Sequence, residues 1–282
     1  MQVHKTVESL KKSISALREK NLTIGFVPTM GALHEGHISL VKLAKMKSDA
    51  VVVSIFVNPT QFNNPDDLEN YPIALNDDIK LLEKEASDIL FCPDVSEMYP
   101  EGMLTKKYPL NGLDKGLEGG KRPGHFDGVC TVVHQLFTSV TPDKAFFGEK
   151  DFQQLAIIKH LVKELNLNIE INSCPTIRDA DGLAKSSRNK LLSPSEREKA
   201  PLIYKSLMKA KALFAEIDIN ELKNIVKNEI ESCEEMTLDY VEIVNPETLK
   251  SVEKSDVLEK AHILIAAYLG NVRLIDNLPL ND

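Results

Sequence analysis

The stretch PTMGALHEGHISLV (28–41) sets two histidines, His34 and His37, three positions apart directly after the apolar run LTIGFV. The pattern puts them where a buried strand gives way to a helix, whose first turn offers unpaired N–H groups and partial positive charge to an anion. Gly31 and Gly36 let the backbone approach a ligand closely, and both imidazoles can donate hydrogen bonds to phosphate oxygens. An H-x-x-H pair is also what an ordinary surface loop carries. Zinc-protease chemistry is excluded, because it needs H-E-x-x-H with the histidines one position further apart.

Further stretches carry similar chemistry, each with a plainer alternative. In FFGEKDFQQL (146–155), Lys150 and Asp151 follow an apolar strand and Gln154 stands one helical turn on; a solvated ion pair would read the same way. In IRDADGLAKSSRNKLL (177–192), Lys185, Ser186, Ser187 and Arg188 make a donor-rich loop suited to triphosphate oxygens, with Arg188 capable of a forked contact. A polar interdomain linker is the alternative there. In IFVNPTQF (55–62), the amides of Asn58 and Gln61 could orient a small polar ligand, or Asn-Pro could simply turn the chain. LEGGKRPGHFDGV (117–129) reads as a glycine-rich loop offering Arg122 and His125. Neither G-x-x-x-x-G-K-[ST] nor G-x-G-x-x-G occurs, so any nucleotide must be held another way.

These residues need a frame. Apolar, β-branched runs at 23–29, 50–57, 88–93, 144–149 and, more weakly, 168–177 are continuous rather than alternating, which predicts strands covered on both faces of a parallel sheet. Between them, helical spacing groups Ile38, Val41, Leu43 and Ala44, then Leu75, Ile79 and Leu82, then Leu155, Ile158, Leu161 and Val162. The expectation is a Rossmann-like, doubly wound α/β domain over residues 1–185 and a smaller C-terminal α+β domain over 186–282. In the latter, a long helix (about 194–215) and a second (about 219–234) precede two strand-like segments, TLDYVEIVNPETL and AHILIAAYLGNVRLIDN, with a turn-rich insert between them.

Composition narrows the function classes. With 43% hydrophobic and 27% charged residues over 282 positions, the chain can bury a substantial core. A net charge of -8 argues against a broad nucleic-acid or anionic-membrane footprint, while leaving room for a local phosphate pocket. Cys92, Cys130, Cys174 and Cys233 are widely spaced without C-x-x-C, as expected of reduced, mostly buried thiols rather than a zinc site. No apolar stretch approaches the ~18 residues of a membrane span, and the N-terminus lacks a secretory apolar core, so a cytoplasmic protein is expected.

Taken together, PTMGALHEGH, SIFVNPTQF, EGGKRPGHFDGV, FFGEKDFQQL, DGLAKSSRN and the late RLIDN resemble the pantoate-beta-alanine ligase family, within the adenylate-forming nucleotidylyltransferases, over nearly the whole chain. HEGH is similar to that superfamily's HIGH signature and KSSRN to its KMSKS loop. The resemblance implies an ATP site at Met30, Gly31, Ala32, Leu33, His34, Glu35, Gly36 and His37, at Gly148, Glu149, Lys150 and Asp151, at Ile177 near adenine, and at Lys185, Ser186, Ser187 and Arg188. It implies pantoate on Gln61 and Gln154 and β-alanine approaching past Gln61; the residue types add Asn58 to the expected substrate-binding set. Thr60 and Ile73 depart from the family pattern, which commonly has a larger apolar residue and an arginine there.

The implied reaction joins pantoate and β-alanine through a pantoyl adenylate, releasing AMP and pyrophosphate, with Mg²⁺ carried on ATP and no dedicated metal site. His34, His37, Lys150, Ser186, Ser187 and Arg188 would stabilise the charge that develops at the phosphates. The resemblance further implies a homodimer. The competing readings are a nucleotidylyltransferase that stops at nucleotide transfer, a tRNA-charging relative, and a catalytically idle nucleotide-binding regulator.

Overall fold

The computed structural model describes residues 1–252 and 260–281. The chain forms two compact units, one from Met1–Glu149 and Gln154–Pro175, the other from Lys150–Gln153 and Thr176–Asp282.

The first unit is built on six parallel strands: β1 (Gln2–His4), β2 (Ile24–Thr29), β3 (Ala50–Ile55), β4 (Ile89–Phe91), β5 (Lys144–Gly148) and β6 (Glu170–Cys174), in the order β1-β4-β3-β2-β5-β6. Successive side chains alternate between two separate apolar clusters. Phe26, Val52, Ile89, Phe91, Ala145 and Phe147 enter one, and Val27, Val51, Val53, Leu90 and Phe146 enter the other. Period-two alternation into two cores explains why the strands read as unbroken apolar runs. Helices supply the rest of each core, with Leu10, Val129, Leu136 and Leu161 on the first side and Leu40, Val41, Ala44 and Leu82 on the second.

Strand order reverses beside β2: β3 and β4 continue to one side of it and β5 and β6 to the other. In such sheets the crevice at the carboxyl ends of the two diverging strands, here β2 and β5, collects ligands. The long helix His125–Val140 is entered through left-handed Gly124 (φ 80°) and left through left-handed Thr141 (φ 46°). His125 is therefore buried at the start of a helix, not in the glycine-rich loop read from the sequence. Gly128 and the β-branched run VCTVV, both poor helix formers, hid that helix. The edge strand β1 is too short to leave a sequence pattern.

The second unit carries an antiparallel sheet of β7 (Met236–Val244), β8 (His262–Leu269) and β9 (Val272–Pro279), with β8 central. The segment read as one strand-like piece, AHILIAAYLGNVRLIDN, is thus a hairpin. Leu269 pairs with Val272 across a two-residue turn in which Gly270 takes φ +55°. Part of the expected turn-rich insert lies outside the described residues. Helices Leu202–Leu213 and Ile219–Glu231 bury Ile203, Leu207, Leu222, Val226 and Ile230 in this unit's own core. The helix expected over 194–215 is two, Pro194–Lys199 and Leu202–Leu213, because Pro201 lacks the N–H that would continue the first.

Candidate active site

The segment leaving β2 at the switch point is fixed atom by atom. The Thr29 hydroxyl donates to the Ser54 carbonyl (2.8 Å) and accepts from the Gly31 N–H (3.2 Å). Gly31 (φ +83°) and Ala32 (φ +48°) are both left-handed, a conformation that costs a residue with a side chain about 1 kcal/mol. Two hydrogen bonds offset that cost. Asp78, 2% exposed on helix Leu75–Lys84, accepts the Ala32 N–H (2.9 Å) on one oxygen and the Leu33 N–H (2.7 Å) on the other.

Helix Glu35–Lys47 then begins with His34 as its N-cap. His34 Nδ1 accepts the Gly36 N–H (3.1 Å), and His37 Nδ1 accepts the His34 N–H (3.3 Å), a reciprocal capping box built from two imidazoles with centroids 4.1 Å apart. A ring nitrogen that accepts holds no hydrogen, so each neutral ring carries its proton on Nε2. The backbone has chosen the tautomer.

Beyond β3, the turn Pro59–Gln61 rests on Asn58, which is 1% exposed. Asn58 Nδ2 donates to Gln61 Oε1 (3.1 Å) and to the Gly128 carbonyl (3.2 Å). Its Oδ1 accepts from the Tyr99 hydroxyl (2.7 Å) and the Thr60 hydroxyl (3.0 Å). Burial pushes the Tyr99 phenol above its ordinary range, against the opposing pull of its bonds to Thr60 and Asn58, so it remains a donor at neutral pH. Gln61 Nε2 points to Met30 Sδ (3.3 Å), joining this turn to the β2 segment. The Gln61 carbonyl accepts from His125 Nδ1 (2.7 Å) and Arg122 Nη2 (3.2 Å). Gly128 makes the close approach possible: a Cβ there would stand 2.4 Å from the Thr60 carbonyl oxygen. At the end of β5 come Gly148 and Glu149, with Gln154 on helix Phe152–Glu164.

In the second unit, Ile177–Lys185 forms a tight hairpin. The Lys185 N–H donates to the Ile177 carbonyl (2.9 Å), the Asp179 N–H donates to the Leu183 carbonyl (2.9 Å), and Gly182 turns at φ +96° under the ring of Tyr204. Lys185 Nζ lies 2.5 Å from Asp179 Oδ1. Ser186 caps the short helix Ser187–Leu191 by accepting the Arg188 N–H (3.3 Å), and Ser187 is buried. Lys150 and Asp151 group with this unit.

A sequence profile of the pantoate-beta-alanine ligase family matches residues 2–279. The chain belongs to that family. Pantothenate synthetase of Christiangramia forsetii is 49% identical over 283 residues, covering 100% of both chains, and that of Thermotoga petrophila is 49% identical over 279 residues, covering 98% and 99%. The crystal structure of pantothenate synthetase from Thermus thermophilus superposes with a TM-score of 0.93 at 41% identity, covering 100% of both chains. That of pantoate-beta-alanine ligase from Francisella tularensis, complexed with β,γ-ATP and β-alanine, superposes with a TM-score of 0.84 at 40% identity, covering 99% and 98%.

Within this ligase frame, the geometry adds residues that the sequence reading left out. Asp78 holds the left-handed turn, and Tyr99 completes the Asn58 network, yet neither Asp78 in its helix nor Tyr99 just past the end of a short one carries a local signal of that role. Of the two departures from the family pattern, Thr60 joins the Asn58 and Tyr99 network through its hydroxyl, while Ile73 is 79% exposed. Among the described residues, no three His, Cys, Asp or Glu side chains cluster to hold a metal ion, and no helix is long and apolar enough to cross a membrane.

Proposed function

We propose that this ligase activates pantoate with ATP as a pantoyl adenylate and then transfers the acyl group to β-alanine, releasing pyrophosphate in the first step and AMP in the second. A carboxylate is a poor acyl donor because its leaving oxygen is too basic, and attack on the α-phosphate converts that oxygen into part of AMP. The observation that carries the reading is the imidazole capping box. With Nδ1 of His34 and His37 engaged by backbone N–H groups, Nε2–H is the donor each ring presents, fixed before substrate arrives.

In this proposal His34, His37 and the N-terminus of helix Glu35–Lys47 receive phosphate oxygens, with Met30–Leu33, Glu35, Gly36, Gly148, Glu149, Asp151 and Lys185 lining the nucleotide. Ile177 packs near adenine, and Lys150, Ser186, Ser187 and Arg188, with the two histidines, stabilise the charge that develops on the α-phosphate and the departing pyrophosphate, the cations by charge and the serines by hydrogen bonds. Gln61 and Gln154 hold pantoate. Asn58, whose polar atoms are engaged within the protein, acts through Gln61 by fixing its amide. Mg²⁺ would enter with ATP, as a hard cation that phosphate oxygens and water can hold. The C-terminal domain, residues 186–282, serves as a lid over the mixed anhydride; solution scattering that detects no compaction with ATP and pantoate would remove that role. A homodimer in the cytoplasm completes the proposal, and sedimentation at monomer mass would refute the assembly.

Mass detection of enzyme-bound pantoyl-AMP tests the central step. ATP and pantoate without β-alanine should yield the adenylate and pyrophosphate, with amide forming only after the amine is added. ATP binding without pyrophosphate release would support an idle regulator instead. Lys150→Ala should lower adenylation at least tenfold.

A further inference from the structure

The RLIDN stretch (273–277) takes no part in the chemistry above, yet it contains two adjacent polar side chains that are nearly inaccessible: Asp276 is 4% exposed and Asn277 6%. Buried polar groups are costly unless bonded, so their partners reveal their purpose. Asp276 takes Arg178 in a fork, with Oδ2 2.5 Å from Nη1 and Oδ1 2.8 Å from Nη2. Arg178 also donates to the Gly182 carbonyl (3.1 Å) and lies 4.1 Å from the centre of the Tyr204 ring. The carboxylate therefore anchors the hairpin that carries Ile177 and Lys185.

Asn277 reaches the other chemical segment. Its Nδ2 donates to the main-chain carbonyl of Lys150 (2.8 Å), and its Oδ1 lies 2.7 Å from His262 Nε2. His262 stacks on Phe152 at 3.9 Å and 15°, within the same Lys150–Gln153 segment. Burial pushes the His262 imidazole below its ordinary range, with the Asn277 bond opposing, so a neutral ring donates from Nε2 to Oδ1. That assignment leaves the Asn277 amide only one orientation, with its N–H toward Lys150.

We propose that Asn277 is a positioning residue for Lys150, holding the lysine's main chain through its carbonyl while the neighbouring Asp276 holds the Ile177–Lys185 hairpin through Arg178. Two consecutive residues of β9 thereby set the spacing of two segments far apart in sequence. The proposal rests on the role assigned above to Lys150.

The test is a double-mutant cycle on pantoate-dependent ATP–pyrophosphate exchange, using Asn277→Ala and the near-isosteric Asn277→Asp, each alone and with Lys150→Ala, with thermal melting recorded throughout. Asn277→Asp keeps an acceptor for His262 but turns an oxygen toward the Lys150 carbonyl. Each single Asn277 change should lower kcat for exchange about tenfold with little change in KM for pantoate. In the Lys150→Ala background the same change should cost less than twofold. Equal losses in both backgrounds would show a merely structural role and overturn the proposal. Normal exchange by both Asn277 variants beside an impaired Lys150→Ala would overturn it while sparing the role of Lys150. Normal exchange by Lys150→Ala would remove that role and this proposal with it. Should Asn277→Ala melt below the assay temperature, Asn277→Asp decides.

Discussion

At the scale of single residues, the site depends on groups whose hydrogens are assigned by the backbone. His37→Ala removes the Nε2–H donor and one half of the capping box. It is expected to slow pantoyl adenylation at least tenfold, about 1.4 kcal/mol in barrier, while circular dichroism stays native. Asp78 is the more severe case. Two backbone N–H groups meet its two oxygens at 2.9 and 2.7 Å, and Asn can accept only one of them while aiming an NH₂ at the other. Losing a charged, buried acceptor costs about 2–3 kcal/mol, so Asp78→Asn should lower the melting temperature and also reduce adenylation more than tenfold. A variant with native melting and native adenylation would show that the left-handed turn does not need this anchor. The histidine pair and the glycines were legible in HEGH because residue type alone suggests phosphate chemistry. Asp78 was illegible, because its partners lie 45 and 46 positions away.

At the scale of elements, helix His125–Val140 and the turn Pro59–Gln61 fit only because Gly128 has no side chain. Gly128→Ala would set a Cβ 2.4 Å from a backbone oxygen, so the turn must move and carry the Gln61 amide with it. The expected outcome is a rise of about tenfold in KM for pantoate with little change in KM for ATP, measured by initial rates. A second element-level prediction concerns pH. Asp143, immediately before β5, feels burial, which raises its carboxyl pKa, but the Arg18 guanidinium at 2.6 Å and the Ile24 N–H at 2.6 Å outweigh it and hold it below the ordinary 3.8. A group depressed in the folded state adds stability above its unfolded pKa and loses it as pH falls through the folded one. Because the pair is partly exposed, the contribution is about 1 kcal/mol after screening. Asp143→Asn should therefore destabilise the chain at pH 7 and converge with the parent as pH falls through the lowered pKa of the folded state, followed by urea titration at each pH. The strands were readable because burial on both faces makes them continuous apolar runs. The long helix beside them was not, since its β-branched face satisfies packing demands that override propensity.

At the scale of the whole molecule, three separate apolar clusters have formed among the described residues, two in the first unit and one in the second, and three of the four thiols are buried: Cys92, Cys130 and Cys174. Burial pushes the Cys130 thiol up to about 12 and Cys174 to about 11, so both stay protonated and unreactive at neutral pH. Cys233 is partly exposed. Native protein should release one rapid equivalent in a colorimetric thiol titration, and four after unfolding in denaturant. A fast second equivalent in the native state would mean that one of the buried sites opens readily.

The sequence by itself determined the alternation of strand and helix, the parallel sheet, the change of texture toward the C-terminus and the segments able to carry chemistry, because each of these is encoded in residue type and short-range spacing. Tertiary structure decided what those segments do for one another. It paired Asp78 with the turn after β2, Asn58 with Gln61, and Asn277 with Lys150. Apart from Asn58 and Gln61, such bonds join residues dozens of positions apart. They exist only where packing of the apolar faces has brought buried polar atoms within reach and excluded the water that would otherwise satisfy them.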